Sequence, residues 1–146
     1  MIVLVQRVQN VKVNSELFIG KGLLLFSGFS SFDNKEIVAK MVSKILSLRV
    51  FGDENEKTNL SIKEVSGEIL SISQFTLYSN LRGYNRPSFS NCLEYSKAKE
   101  LFDYFNEQLL LSFPQTKKGI FGSDYQVTLT NDGPFTIILD SEKLFS

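Results

Sequence analysis

A proline set inside strand sequence constrains this chain more than any other feature. Val127 and Leu129 alternate with Thr128 and Thr130, the period of a half-buried strand. Phe135 to Leu139 is nearly all apolar, which predicts a strand buried on both faces. Asn131-Asp132-Gly133-Pro134 separates the two. Proline has no backbone N–H and cannot join a central ladder, so the pairing must break there. A Gly-Pro peptide can also be cis at modest cost, which exposes two successive carbonyls in an unusual orientation. Two readings stay open: a hairpin turn that needs glycine and proline for shape alone, within a last pair of strands, or a functional projection.

The chain has no histidine. That removes Ser-His and Cys-His nucleophile pairs and histidine-ligated metal. Any chemistry must use carboxylates, lysine, tyrosine, hydroxyls, backbone dipoles or groups on the substrate. Sixteen basic and sixteen acidic residues cancel, so no global field advertises nucleic acid, although a local patch suffices for RNA. Cys92 is the only cysteine, which excludes an internal disulfide and points to a reducing compartment. The apolar start, Met1 to Val5, has no charged n-region and is too short for a signal or a membrane span, so a soluble cytoplasmic protein is expected. Residues 1–146 are expected to form one domain with its own core.

Taken in order, residues 2–8 read as a strand in which Val3, Val5 and Arg7 share a face. Arg7 therefore extends an apolar face, or ends the strand and reaches water. Val11 and Val13 suggest a second strand, Leu17 to Ile19 a third, and Gly22 to Phe26 a buried one. Asp33 with Glu36 resembles a capping box, and Ile37, Met41, Ile45 and Leu48 recur at helical spacing over 34–48. Residues 52–57 form a polar loop without calcium-ligand spacing. Glu68 to Tyr78 reads as a strand throughout, with Leu70 and Ile72 followed on one face by Gln74 and Thr76. A face that turns polar towards one end is either a site edge or a strand running into solvent. Asn80 to Phe89 is a loop that interleaves Arg82 and Arg86 with Tyr84 and Phe89, a composition able to hold RNA phosphate and a stacked base, or an ordinary surface loop. Asn91 with Glu94 opens a helix carrying Ala98, Leu101, Phe102, Phe105 and Leu109, which Pro114 ends. The expected architecture is one α+β domain, a mainly antiparallel, β-barrel-like sheet with two helices packed against it.

Four spaced motifs together identify a family. Gln6-Arg7-Val8, Ser73-Gln74-Phe75-Thr76-Leu77, Arg86-Pro87-Ser88-Phe89 and Asn131-Asp132-Gly133-Pro134 with Thr136 resemble D-aminoacyl-tRNA deacylase. Leu48 to Phe51, Asn59-Leu60-Ser61 and Phe121-Gly122 match as well, in the right order over essentially the whole chain. The resemblance implies a homodimer that hydrolyses the ester joining a D-amino acid, or glycine, to the 3′-terminal adenosine of tRNA. It implies no metal or organic cofactor, and an aminoacylated tRNA 3′ end as partner, with no DNA and no membrane. Ser73, Gln74, Phe75 and Thr76 match the pocket strand. Gly133-Pro134 matches a cis motif that projects into the site of the other subunit as a chiral filter, beside Asn131. Arg7 matches the arginine that orients it. Beside the resemblance, Arg82, Arg86, Lys117 and Lys118 are expected to contact phosphate, and Phe89 and Tyr125 to contact the RNA as well. The segment from Arg7 to Gly22 is shorter than the family pattern, and Tyr125 stands where the family often has methionine.

No conventional general base is in sight. Either Thr76 is a nucleophile, weak without a base beside it, or the protein positions the ester and stabilises oxyanion charge through backbone N–H groups while the ribose 2′-OH helps activate water. The second is expected, with Thr76 a site-shaping residue. Two rivals remain: a non-catalytic dimeric RNA-binding module, and a small-molecule esterase that needs no tRNA.

Overall fold

In the computed structural model, which describes all 146 residues, the fold is built outward from one long strand. Strand β1 (Ile2–Val13) pairs antiparallel with β2 (Leu17–Ile19) along Val11 to Val13 and with β3 (Gly22–Gly28) along Ile2 to Val8. The expected separate strand at Val11 and Val13 is therefore the far end of β1. Helix α1 (Lys35–Ser47) follows, then a small hairpin of β4 (Phe51–Gly52) and β5 (Thr58–Leu60). Strand β6 (Glu68–Ser73) lies parallel to β3, and after helix α2 (Tyr95–Ser112) strand β7 (Thr116–Lys118) lies parallel to β6. Strand β8 (Val127–Asp140) returns antiparallel to the other edge of β1, and a short helix α3 (Ser141–Phe145) closes the chain. The barrel-like sheet is mixed. It is antiparallel around β1 and parallel where the helices make the crossovers that parallel pairing requires.

Two cores lie on its two faces. Val3 and Val5 of β1, Leu23 and Leu25 of β3 and Ile69 of β6 meet α1 and α2 through Met41, Ile45, Phe102 and Phe105. The alternate residues, Leu24, Leu70 and Ile72, turn the other way and meet Val8, Val11, Val13 and Ile19 inside the barrel. Each of these aliphatic side chains contributes roughly 1.5–3 kcal/mol by leaving water. Val3, Val5 and Arg7 keep one parity, as the alternation requires, but Val8 and Val11 both enter the inner core. An extra residue between them explains this: Val8 faces Asn131 and Asn10 faces Thr130, so Gln9 is bulged.

Several local expectations change. Asn34, not Asp33, caps α1 by accepting the Ile37 N–H at 2.9 Å. The Asp33 carboxylate instead accepts from the Ser30 N–H at 2.8 Å and from the Ser141 hydroxyl at 3.0 Å. Helix α2 starts after Glu94 with no side-chain cap at all, so Asn91 lies outside it. The segment 68–78 is not one strand. β6 ends at Ser73, and Phe75–Tyr78 form a single 3-10 turn. The cause is loss of a partner: β3 ends at Gly28, and the last rung is the Gln74 N–H on the Ser27 carbonyl at 2.7 Å. The strand from Phe135 to Leu139 is not buried on both faces. Leu139 is buried, but Thr136 and Ile138 point outward, because β8 is an edge with helices behind it and nothing in front.

Candidate functional site

Where β6 stops, a cleft begins. Phe26, Ile72, Ser73, Gln74 and Phe75 form one wall of a space of about 350 Å³. Gly122, Ser123, Asp124, Tyr125 and Val127 form the other. The Ser73 hydroxyl accepts the Gly122 N–H at 3.4 Å across it. Phe75 and Thr76 open the 3-10 turn, so their N–H groups have no acceptor within it. The Gln74 amide donates to the Thr76 hydroxyl. Thr76 is exposed and does not line the cleft. The Cys92 thiol donates to the Phe75 carbonyl at 3.3 Å, and burial pushes its pKa up. A second, more apolar hollow of about 290 Å³, walled by Leu93, Tyr95, Ala98 and Phe121, shares Ser73, Phe75 and Gly122 with the first.

The Gly-Pro stretch is neither a hairpin turn nor a break between two strands. β8 runs through it, and Gln6 pairs with Thr136 while Val8 pairs with Asn131. The four residues Asp132 to Phe135 thus stand opposite the single residue Arg7. They are extruded, and Asn131, Gly133 and Pro134 are exposed. The Gly133–Pro134 peptide is cis, as expected. Arg7 is the strut of this excursion. Its Nε donates to the Asp132 carbonyl at 3.0 Å and its Nη1 to the Val50 carbonyl at 2.6 Å. Its guanidinium also lies 3.4 Å from the Asp132 carboxylate and 4.7 Å from the centre of the Phe135 ring. Of the two readings of Arg7, the paired and mostly buried one holds. Gly133 has φ +130°, a region that side chains avoid. A Cβ there would meet the Phe135 nitrogen at 2.9 Å and Arg7 at 3.2 Å, so it would disturb the strut rather than extend the outer wall.

The loop from Asn80 is closed by a bridge to Ser88, with N–H to carbonyl distances of 2.7 and 2.9 Å. Arg82, Tyr84 and Arg86 on it are exposed, and neither arginine is in an ion pair. Phe89 returns from it to pack edge-on against Phe75, with ring centres 4.9 Å apart. The cleft wall residue Phe75 and the basic loop are therefore one continuous surface. Lys118 is exposed, whereas the Lys117 ammonium donates to the Phe18 carbonyl at 2.6 Å.

The two sets of residues do not meet within one chain. Arg7 faces Leu23 and Leu23 faces Ile69, while Ser73 lies four residues beyond Ile69. Strand rise and spacing then separate Arg7 from Ser73 by about 16 Å. They also lie against different cores, since Arg7 continues the Val3 face and the cleft is floored by Phe26 and Ile72. Phe26, Gly122, Ser123 and Asp124 were not singled out as site residues in the sequence. Only the Phe121-Gly122 motif and Tyr125 pointed there, because the loop reaches the cleft from 49 residues away. No three His, Cys, Asp or Glu side chains converge as a metal cluster would. The Asp53 carboxylate instead caps its own turn, accepting from Asn55 and Lys57, and the Lys57 N–H does most to hold its pKa down.

This geometry has known relatives. The model of a family described as D-Tyr-tRNA(Tyr) deacylase matches residues 4–140. The chain belongs to that family. It is accordingly an ester hydrolase of the D-aminoacyl-tRNA deacylase type. It is 47% identical to a D-aminoacyl-tRNA deacylase of Lactobacillus helveticus, over 94% of this chain and 98% of that protein. It is 45% identical to one of Finegoldia magna, over 94% and 96%. Among solved structures, it resembles a protein titled c-Myc DNA Unwinding Element Binding Protein, with a TM-score of 0.89, 38% identity, and coverage of 96% of this chain and 98% of that one. A probable eukaryotic D-amino acid tRNA deacylase shares the fold at a TM-score of 0.83 and 16% identity, over 94% and 97%. No helix of the deacylase-family chain is long and apolar enough to cross a membrane.

Proposed function

We propose that this enzyme hydrolyses the ester joining a D-amino acid, or glycine mischarged on a non-cognate tRNA, to the 3′-terminal adenosine of tRNA. The single observation that carries the reading is that one chain holds two incomplete halves apart from each other. A cleft with free backbone donors lies at the end of β6, and an exposed Gly133-Pro134 wall braced by Arg7 lies elsewhere. A homodimer in which the wall of one copy enters the cleft of the other would complete both. In that arrangement the two carbonyls of the wall accept the substrate α-ammonium. The two enantiomers must then point their side chains in different directions, and one direction meets the wall. Selection works by exclusion, so glycine passes and many D-side chains fit.

In the reaction, water oxygen adds to the ester carbonyl carbon and the bond to the ribose oxygen breaks. That oxygen takes a proton as the D-amino acid and tRNA separate. The N–H of Phe75, on the cleft wall, faces the developing oxyanion. Ser73 and Gln74 shape the pocket, and the ribose 2′-OH assists the water. Arg82, Arg86 and Lys118 meet phosphate, and Phe89 and Tyr125 offer rings to the terminal nucleoside. A chain of zero net charge fits recognition of one RNA end better than a grip on duplex DNA.

Deacylation of matched D- and L-tyrosyl-tRNA by purified protein tests this. Turnover of the D-substrate with the L-substrate nearly untouched is expected. Equal turnover of both removes the filter. Binding without turnover makes the chain an RNA-binding module, and equal turnover of a D-tyrosine ester lacking tRNA makes it a small-molecule esterase.

A further inference from the structure

The loop from Gly119 to Tyr125 supplies half of the cleft, and almost every residue in its first part is tied down. The Gly119 N–H donates to the Ser71 carbonyl at 2.9 Å, which fixes the loop to β6. Phe121 is held edge-on against Tyr95, with ring centres 5.1 Å apart, and packs on Phe102 at 5.6 Å. Ser123 and Asp124 are exposed. Tyr125 then turns back: its hydroxyl accepts the Ile120 N–H at 2.6 Å, spanning the loop from end to start. Its ring lies so close over Gly119 that a Cβ there would sit 3.0 Å from it. The same ring packs on the inner core and lines the cleft. The Gly122 N–H also ties the loop to the Ser73 hydroxyl at 3.4 Å and the Ser123 N–H turns back on the Ile120 carbonyl at 3.2 Å, but Tyr125 is the tie whose own side chain both closes the loop and lines the cleft.

We infer that Tyr125 is a positioning residue, whose hydroxyl latches the 119–125 loop shut and so sets how firmly the 3′ end of the RNA is held. The inference rests on the tRNA reading of the cleft. Packing alone would be served by phenylalanine, because the ring makes the contacts with Gly119 and the core. The hydroxyl is separable from the ring, and it has one partner, a backbone donor at the other end of the loop. Ile120 is exposed, so without the latch its N–H turns to water and the loop loses its closure rather than its fold.

Tyr125→Phe separates the two roles. Loss of one such hydrogen bond should raise KM for D-tyrosyl-tRNA about three- to tenfold. Because the reacting atoms are untouched, kcat should stay within about twofold. The D over L ratio should not change, since the Gly133-Pro134 wall is remote. Amide hydrogen exchange at Ile120 should become at least about fivefold faster, with the core amides of β3 and β6 unaffected. Unchanged KM together with unchanged exchange at Ile120 overturns the inference. A fall in kcat at constant KM also overturns it, because the hydroxyl would then act on the reacting atoms. If the parent protein does not turn over D-tyrosyl-tRNA, the tRNA reading fails by itself. Exchange at Ile120 then decides alone: acceleration in Tyr125→Phe upholds the latch, and no acceleration refutes it.

Discussion

Thr76 carries a hydroxyl that could be cast as a nucleophile at the turn after β6, and its surroundings argue against that role. It faces solvent outside the cleft, and the Gln74 amide occupies it as a donor. No histidine exists to deprotonate it. Thr76→Ala should therefore lower single-turnover deacylation by about tenfold or less, the worth of one hydrogen bond. Removing a true nucleophile costs on the order of 10⁴- to 10⁶-fold, and mass spectrometry would then find an acyl-enzyme in the parent protein. Arg7 is different in kind. Removing it leaves two backbone carbonyls and the Phe135 ring without their cation. Arg7→Ala should lose about 1–3 kcal/mol in urea unfolding. It should also admit L-tyrosyl-tRNA, seen as a falling D over L ratio. A ratio equal to the parent's would mean that the wall stands without its strut.

Among the elements, β8 was the most readable in sequence and the most misleading in detail. Gly133-Pro134 announced a break in pairing, and the break is there. Composition alone could not say whether the chain turned back or ran on, because that depends on Arg7, more than a hundred residues earlier, filling the gap. The apolar run Phe135 to Leu139 suggested two buried faces, yet Ile138 is 68% exposed in the single chain. Likewise β6 was legible up to Ser73 and no further, since the length of β3 decides where it ends. The helix faces, which depend only on local periodicity, came out as the 3.6-residue spacing of Ile37, Met41 and Ile45 required. Of the cleft wall from Gly122 to Tyr125, the two ends were marked by the family resemblance, while Ser123 and Asp124 left no trace, because loop residues carry no period. If a second copy covers the free edge of β8, Ile138→Asp should yield a monomer by light scattering and lose deacylation. Its fold should be unchanged to within about 0.5 kcal/mol, as for a surface site. A fully active monomer, or a variant that stays dimeric and active, counts against that interface.

At the scale of the whole molecule, strand register sets Arg7 and Ser73 roughly 16 Å apart. The proposed site draws on both and so calls for two copies, with β8 as a long edge, unpaired on its outer side, that a partner would protect. Mixing two disabled subunits tests this directly. Phe75→Glu puts a charge in the cleft and leaves the wall intact. Gly133→Ala forces a strained φ and pushes on Arg7, leaving the cleft intact. Each variant alone should be nearly inactive on D-tyrosyl-tRNA. After unfolding and refolding together in equal amounts, half of the dimers are mixed and one of their two sites is built from two intact halves, so about a quarter of the parent activity should return. No recovery, in a mixture that light scattering shows to be dimeric, would contradict a site shared between subunits.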